Sequence, residues 1–235
     1  MRVFLILMTI VAAAGAAFDA RGQITASGDG RVTGTVTGKN LPPNPQVSDI
    51  TSVDFRNLTY PNPLAVAGGA VLTLKNGISS GAKPNPLMTF KLRKTYFFDL
   101  TGDGREEAVT HILADSCGEG CDSHSLFFIH TVENKELKLL WQFATGAEAL
   151  GGLKSINFDE DTITVETFGR CAMKNALVTA EYDGKKPKQV IPVNYTRFEF
   201  RRGDSGFLPF SQEVLPFTEK TIAGYRAQIS FGTQN

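Results

Sequence analysis

The sequence lacks a net charge, since 24 Lys and Arg residues balance 24 Asp and Glu residues over 235 positions. Proteins that bind nucleic acid or anionic membrane surfaces usually carry a basic surplus, because phosphate groups attract cationic side chains. The balanced charge therefore argues against nucleic acid as a partner. The partner expected from the composition is another protein or a surface of unspecified chemistry.

The sequence also lacks a long apolar run beyond its first residues. Residues 1–17 consist of Arg2, an apolar run at 3–11 and an alanine-rich stretch, which is the plan of a secretory signal peptide. The run is shorter than the roughly 20 apolar residues of a membrane-spanning helix. An Ala-x-Ala pattern predicts cleavage after Ala16, and cleavage after Ala17 fits nearly as well. We therefore expect a secreted or periplasmic protein with no integral membrane segment after cleavage.

Helical periodicity is scarce in the remainder of the chain. Residues 18–46 are rich in Gly, Thr, Asn and Pro, and we interpret them as a flexible linker because they cannot bury enough apolar surface to fold. Residues 47–235 are predicted to form a single all-β domain, since short runs of alternating apolar and polar residues follow one another with turn residues between them. The gaps fit hairpins and leave no room for crossover helices, so we expect an antiparallel meander of blade-like hairpins that forms one sandwich or a partial propeller. The runs are "SVDFRNLTY", "AVLTLKNG", "MTFKLRKTYFFDL", "EEAVTHILA", "SLFFIHTV", "LKLLWQFATG", "LKSINFD", "TITVETFG", "LVTAEYDG" and "YTRFEFRRGDSGFLPF".

Local patterns predict the connections between these strands. Short polar stretches predict turns at 134–135, 160–161 and 183–184 and around Gly203. Paired aromatic residues in "TYFFDL" and "SLFFIHTV" interrupt the alternation and predict strands that are buried on both faces. One short C-terminal helix is predicted in "TEKTIAGYRAQ", with Thr218 as its N-cap.

The sequence has few residues that favour catalysis. It contains no Gly-x-Ser-x-Gly elbow, no His-Glu-x-x-His pair and no phosphate-binding glycine loop. The sequence therefore favours a binding or structural role over an enzymatic one.

Only three cysteines are present, and in an exported chain they are expected to be oxidised. The candidate disulfides join Cys117 to Cys121, or one of these two residues to Cys171. Either pairing leaves one thiol without a partner.

A zinc site is the alternative use of the same region. Thiolate and imidazole groups are the usual zinc ligands, and five of them fall within a short stretch of the chain. The alternative hypothesis is therefore a secreted metal-dependent hydrolase, with a site made of His111, Cys117, Cys121, His124 and His130.

The stretch "DLTGDGREE" is a candidate calcium site. Side-chain oxygens alternate along it, and a glycine after the third of them allows a sharp bend. Calcium prefers six to eight oxygen ligands around such a turn. The ligand candidates are Asp99, Thr101, Asp103 and Glu107, together with the carbonyl oxygen of Arg105.

This stretch, continued as "DLTGDGREEAV", resembles the Asp-x-Asn-Gly-Asp-Gly-x-x-Asp core of FG-GAP and VCBS-type repeats. Those repeats are hairpins of β-propeller blades whose loop often binds calcium, so the resemblance implies calcium at the same five residues. Thr101 replaces the usual Asn, Glu107 replaces the usual Asp, and the motif occurs once, whereas a propeller repeats it. The order of the blocks "SVDFRNLTYP", "DLTGDGREEAV", "LKLLWQFATGAEALGGLKSI", "ITVETFG" and "YTRFEFRRGDSGF" is also similar to that of a family of exported, uncharacterised bacterial proteins. That similarity implies export and the domain boundaries, and it implies no activity.

Overall fold

The computed structural model describes residues 45–64, 71–80, 88–115, 123–147, 151–181, 193–218 and 226–232. Most of these residues lie in strands, and two short 3-10 turns precede the first strand. The turns span Ile50–Ser52 and Phe55–Asn57, and the strands in chain order are β1 Thr59–Pro61, β2 Val71–Thr73, β3 Ile78–Ser80, β4 Thr89–Phe98, β5 Glu107–Asp115, β6 Ser123–Glu133, β7 Glu136–Ala144, β8 Leu153–Asp159, β9 Thr162–Phe168, β10 Cys171–Lys174, β11 Leu177–Ala180, β12 Asn194–Gly203, β13 Gly206–Pro216 and β14 Gln228–Phe231.

The strands form two large sheets and one small one. The seven-stranded sheet has the order β10-β11-β7-β6-β5-β4-β3, the five-stranded sheet has the order β13-β12-β9-β8-β14, and β1 pairs with β2. Strands β3 to β7 follow one another as antiparallel neighbours, which confirms the predicted meander. Two pairs are parallel, β11 with β7 and β14 with β8, and the sequence patterns did not predict them.

The first apolar core lies between the two large sheets and makes the fold sandwich-like. Aromatic rings from both sheets meet there, for example Trp141 with Phe200 at 5.1 Å between centroids and Phe143 with Phe198 at 6.1 Å. Such tilted and edge-on ring pairs are favoured over face-to-face pairs. The single tryptophan is therefore a core residue at the centre of the sandwich.

A second apolar core covers the other face of the seven-stranded sheet. Phe55, Tyr60 and Leu74 from the N-terminal segment pack against that face, where they contact residues such as Leu126 and Phe128. Strand β6 is consequently buried on both faces from position 125 to position 131. This confirms the prediction made from the paired aromatic residues of "SLFFIHTV". The same prediction for "TYFFDL" is wrong, because Phe97 of β4 is 37% exposed.

The turns agree with the predictions where the structure describes them. Asn134 and Lys135 join β6 to β7 with φ angles of +52° and +64°, which is the left-handed conformation of a two-residue hairpin turn. A turn at 160–161 joins β8 to β9, as predicted. The turn after Gly203 joins β12 to β13, also as predicted.

The prediction of a strand across "SVDFRNLTY" is largely wrong. Its middle forms the 3-10 turn Phe55–Asn57, and only Thr59 and Tyr60 of this run lie in β1. The reason is local, because the carboxylate of Asp54 accepts a hydrogen bond from the backbone N–H of Arg56 at 3.1 Å. Short polar side chains that bind nearby backbone groups compete with strand pairing in this way.

The two ends of the predicted domain also differ from expectation. The carbonyl of Pro45 accepts a hydrogen bond from the N–H of Leu137 at 3.3 Å, so contacts with the sheet begin within the last residues of the predicted linker. At the C-terminal end, Arg226 is not helical and Gln228 begins β14, so the predicted helix is wrong at its final residues.

Several other predictions concern residues outside the described ranges. These are the signal peptide at 1–17, the linker up to residue 44, the turn at 183–184, the start of the C-terminal helix at 219–225, and both Cys117 and Cys121. They stay predictions.

Candidate functional site

The loop between β4 and β5, here called the Asp99 loop (residues 99–107), is held by its own carboxylates. Asp99 accepts hydrogen bonds from the backbone N–H groups of Asp103 at 3.2 Å and Gly104 at 2.7 Å. Asp103 accepts one from the N–H of Arg105 at 2.9 Å and also binds the Arg105 guanidinium at 2.8 Å. Asp and Asn side chains fix tight turns by accepting such bonds from backbone groups a few residues further on. These hydrogen bonds therefore fix the backbone conformation of the loop.

Glu107 lies at the base of this loop and is buried, with 1% of its surface exposed. Its carboxylate accepts hydrogen bonds from the backbone N–H groups of Leu100 at 2.9 Å and Thr101 at 3.0 Å. It also accepts bonds from the hydroxyls of Thr101 at 3.3 Å and Thr131 at 3.2 Å. Burial raises the pKa of Glu107 above its usual value, although these four hydrogen bonds oppose the shift. One side chain thus joins the Asp99 loop to strand β6.

The five predicted calcium ligands are close in sequence, and the structure shows hydrogen-bond partners for the side chains of four of them, Asp99, Thr101, Asp103 and Glu107. Thr101 contacts Glu107, while Asp99 and Asp103 lie in one turn, so hard oxygen donors of the kind that calcium prefers are present. All three carboxylates nevertheless bind backbone N–H groups. Across the described ranges, no group of three or more His, Cys, Asp and Glu side chains is arranged to hold a metal ion. Each carboxylate retains further lone pairs, so calcium at this loop stays a prediction.

A polar cleft of about 80 Å³ lies between the Asp99 loop and the turn at 203–206, here called the β12–β13 turn. Its lining carries carboxylates and guanidinium groups together, so it presents charges of both signs. Strands β6 and β7 form one part of its wall. The lining residues are Thr101, Asp103, Arg105, Glu107, Thr131, Glu133, Leu140, Arg202, Gly203, Asp204, Gly206 and Phe207.

Gly206 allows the β12–β13 turn to approach strand β7 closely enough to form the cleft. Its φ is +129°, and a Cβ atom at this position would overlap the carbonyl oxygen of Leu140 and lie 3.0 Å from its carbonyl carbon. Glycine is the only residue that adopts this φ without strain and leaves this space empty. The position of this wall of the cleft therefore depends on the absence of a Cβ atom at Gly206.

The histidines of the predicted zinc site do not meet. His111 lies opposite Phe127 on the face of the seven-stranded sheet that looks into the sandwich, where the two rings stack at 4.5 Å. His130 lies on the other face, between the rings of Phe55 and Tyr60, each at 5.8 Å. His124 lies on the same face as His130 but at the other end of β6, with its Nδ1 atom 2.9 Å from the Thr145 carbonyl oxygen. The hydrolase hypothesis therefore lacks a common centre for its three imidazoles.

Burial keeps two of these histidines neutral. It lowers the pKa of His130 from 6.5 to about 3, and no described group accepts or donates a hydrogen bond at its buried Nδ1 atom. Burial, together with the charge of Arg93, lowers the pKa of His111 to about 4. Because these imidazoles bind a proton more readily in the unfolded chain than in the folded one, acidic pH favours unfolding.

Replacing His130 with phenylalanine is expected to weaken the acid sensitivity of the fold. Because the folded pKa of His130 is lowered, its contribution to stability is fully present above pH 6.5 and is lost as the pH falls towards 3. Between about pH 7 and pH 4.5 this residue alone should cost about 2 kcal/mol of unfolding free energy. Denaturant unfolding at the two pH values measures the difference between wild type and His130→Phe. His111→Phe serves as an independent comparison, and an equal pH-dependent loss in His130→Phe and wild type would contradict the assignment.

Cys171 is a buried thiol with no disulfide partner among the described residues. Its Sγ atom donates a hydrogen bond to the carbonyl of Phe168 at 3.2 Å, and burial raises its pKa. Its two predicted disulfide partners lie outside the described ranges, so the predicted cysteine pairing stays a prediction.

Sequence reasoning missed an ion-pair cluster on the outer face of the five-stranded sheet. Glu166 binds Lys154 at 2.6 Å, Ser155 at 2.8 Å and Arg197 at 2.8 Å. Burial alone would raise the pKa of Glu166, but these three partners outweigh it and lower the pKa. In the sequence, Glu166 and Arg197 are only two charged residues within runs that alternate between apolar and polar residues. Their pairing can be inferred only once β9 and β12 are known to be neighbours, because the two residues then lie opposite each other.

Comparison with known proteins gave no match among protein-family models, curated proteins or solved structures. Within the described ranges, the structure contains no helix with the length and apolar character needed to cross a membrane.

Proposed function

We propose that this chain is an exported, non-enzymatic β-domain that binds a partner protein or surface through the cleft described above. The observation that carries the proposal is that the cleft presents charges of both signs on a loop and a turn whose positions are fixed. The Asp99 loop is fixed by backbone hydrogen bonds, and the β12–β13 turn is fixed by the close approach of Gly206 to Leu140. Groups that are held in place before binding lose less conformational entropy on binding.

The placement of the histidines supports a binding role over the hydrolase alternative. A metal-dependent hydrolase needs several ligands around one ion with a position open to water. His130 is buried on one face of the seven-stranded sheet and His111 lies on the other face, so they cannot bind the same ion. Export is part of the proposal and rests on the N-terminal sequence pattern.

Affinity capture from the exported fraction of the source cells tests the proposal. The full chain is compared with Arg202→Gln, which removes one charge from the cleft, and with Glu213→Gln, which removes one charge from an exposed position of β13 outside the cleft lining. We expect a protein or envelope component that wild type and Glu213→Gln retain and Arg202→Gln loses. Equal retention by all three chains would reject the cleft as the contact surface. Stoichiometric zinc in the purified protein would favour the hydrolase instead.

Calcium at the Asp99 loop belongs to the same proposal. A ligand that binds only the folded state raises stability by RT ln(1 + [L]/Kd), so millimolar calcium should raise the melting temperature of the wild type. Asp103→Asn keeps an acceptor for the Arg105 N–H but removes the charge, and it should abolish the rise. Glu213→Gln should keep it. A melting temperature that is unchanged by calcium in all three chains would remove calcium from the proposal.

A further inference from the structure

Arg202 is a charged residue at an inward-facing position of β12. Phe198 and Phe200 of the same strand belong to the core between the two large sheets, and side chains two positions apart lie on the same face of a strand. Arg202 continues this series one step beyond the aromatic rings, where it lines the cleft. The residue is exposed, so its guanidinium group is accessible to a ligand.

Two of the carboxylates that line the cleft are neutralised by ion pairs with other residues. Asp103 binds the guanidinium group of Arg105 at 2.8 Å, and Glu133 binds the ammonium group of Lys138. Neither pair uses the positive charge of Arg202. These two carboxylates therefore add little uncompensated negative charge to the cleft.

The remaining charged groups of the lining differ in what they bind. Glu107 accepts four hydrogen bonds from backbone and hydroxyl donors, and Asp204 also has an interaction partner. Arg202 has no ion pair and no side-chain hydrogen bond with any residue that the structure describes. A guanidinium group carries its N–H donors in a planar fork that fits a carboxylate. The cleft therefore offers an unpaired cation of the kind that prefers carboxylate ligands.

The size and the apolar part of the cleft limit what Arg202 can receive. A volume of about 80 Å³ corresponds to about two or three water molecules of roughly 30 Å³ each, so it holds a few heavy atoms and not a folded element. Leu140 and Phe207 also line the cleft. Their apolar surface suits the methylene groups of an acidic side chain.

A C-terminal carboxylate fits the cleft less well than a side-chain carboxylate. Proteins capture chain termini with concave runs of free backbone N–H groups. In the Asp99 loop these groups already donate to the carboxylates of the loop itself, and the N–H of Arg202 donates to the carbonyl of Asp161 at 2.9 Å. The loop donors are the N–H groups of Leu100, Thr101, Asp103, Gly104 and Arg105. A ligand must therefore be held by the guanidinium fork, which a side-chain carboxylate can reach.

We propose that the cleft binds an acidic side chain, aspartate or glutamate, of the partner protein, and that Arg202 holds its carboxylate. This inference rests on the proposed function, since it names the chemistry that the cleft recognises in its partner. Two parallel N–H···O bonds from a guanidinium group to a carboxylate give both affinity and direction. The β12–β13 turn, which Gly206 allows to approach β7, follows Arg202 directly and fixes its backbone opposite the Asp99 loop.

An NMR titration of the isotope-labelled full chain with small blocked amino acids tests this chemistry. N-acetylglutamate N-methylamide carries the side-chain carboxylate, and the corresponding glutamine compound has the same shape without the charge. For so small a ligand we expect a Kd on the order of 10 mM, measured at the Nε–Hε signal of Arg202 and at the backbone signals of residues 203–206. The glutamine compound should give no saturable shift. N-acetylalanine, which presents a C-terminal carboxylate, should bind more weakly than the glutamate compound.

Three variants test whether Arg202 is the residue that binds. Arg202→Gln should abolish the saturable shifts at 203–206, and Arg202→Lys, which keeps the charge but loses the fork, should weaken binding about fivefold. Arg201→Gln is the matched control, because it removes the same charge one residue away, where the guanidinium group binds Glu199. It should bind like the wild type. The amide spectrum shows whether each variant is folded, and the comparison with Arg202→Lys decides if Arg202→Gln is not.

Three results would overturn the assignment. They are equal shifts with the glutamate and glutamine compounds, tighter binding of N-acetylalanine than of the glutamate compound, and equal losses in Arg201→Gln and Arg202→Gln.

Displacement of the captured partner separates this inference from the proposed function. Release from the wild type by excess glutamate compound, and not by the glutamine compound, would support both. A partner that Arg202→Gln loses but that the glutamate compound does not displace would leave the proposed function standing and overturn the carboxylate assignment. Equal retention by all chains, together with saturable binding of the glutamate compound, would reject the proposed function while the carboxylate site at Arg202 stands.

Discussion

Replacing Gly206 with alanine is expected to destabilise the fold by about 4 kcal/mol. Two costs combine at this position. The φ of +129° is strained for any residue with a Cβ atom, and the new methyl group would overlap the backbone of Leu140. Because Leu140 would clash through its carbonyl group, no side-chain rotation relieves the overlap, and the β12–β13 turn must move away from β7. Equilibrium unfolding in denaturant measures the loss.

Gly102→Ala separates the two costs. Gly102 also has a positive φ, +66°, but nothing lies within 4 Å of an added Cβ atom. Its replacement should therefore show only the backbone strain of a left-handed residue, about 1 kcal/mol. An equal loss in Gly102→Ala and Gly206→Ala would mean that the approach to Leu140 contributes nothing.

Replacing Glu107 with alanine is also expected to cost about 4 kcal/mol of unfolding free energy. The substitution leaves the backbone N–H groups of Leu100 and Thr101 and the hydroxyl of Thr131 without their acceptor. A buried donor that loses its partner costs about 1–3 kcal/mol, which is more than an average hydrogen bond contributes. The same chemical or thermal unfolding measurement applies, read at neutral pH.

Glu107→Gln is the informative companion of this variant. A glutamine oxygen can still accept from both N–H groups, while its amide donates to the threonine hydroxyls, which also act as acceptors. We therefore expect a loss of about 1 kcal/mol. Glu106→Ala, at the exposed neighbouring position, should stay within about 0.5 kcal/mol of the wild type. If Gln were as damaging as Ala, the negative charge would matter more than the hydrogen-bond acceptor.

The long strands could be predicted from the sequence because their residues alternate in polarity and are rich in β-branched and aromatic types. Strand β9 is typical, with Ile163 and Val165 in the core and Thr164 between them. The 3-10 turn after Asp54 was missed because a single side-chain hydrogen bond decides it. The four-residue strands β10 and β14 were missed because so short a pattern does not distinguish strand from loop.

The candidate site was only partly predictable for a different reason. The sequence marked Asp99, Asp103 and Glu107 as candidate ligands of one calcium ion, whereas in the structure each carboxylate accepts hydrogen bonds from backbone N–H groups of the loop. The pattern does not reveal whether those oxygens bind an ion or backbone N–H groups, because both uses require the same spacing. The other wall of the cleft comes from residues about a hundred positions further along the chain, such as Asp204. Their approach depends on sheet packing and not on any local motif.

The burial of β6 on both faces has a consequence for strand register. In a sheet with one solvent-exposed face, a slip of the pairing by one residue would move apolar side chains into water, so the polarity pattern fixes the register of the strands. In β6 the same slip would exchange Phe127 with Phe128, and both positions are fully buried. Polarity therefore gives little discrimination against misalignment in the centre of this molecule. The two-residue turn at Asn134 and Lys135 sets the alignment of β6 with β7 from Glu133 to His130, and a register shift between Ile129 and His130 offsets the rest of the pair by one residue.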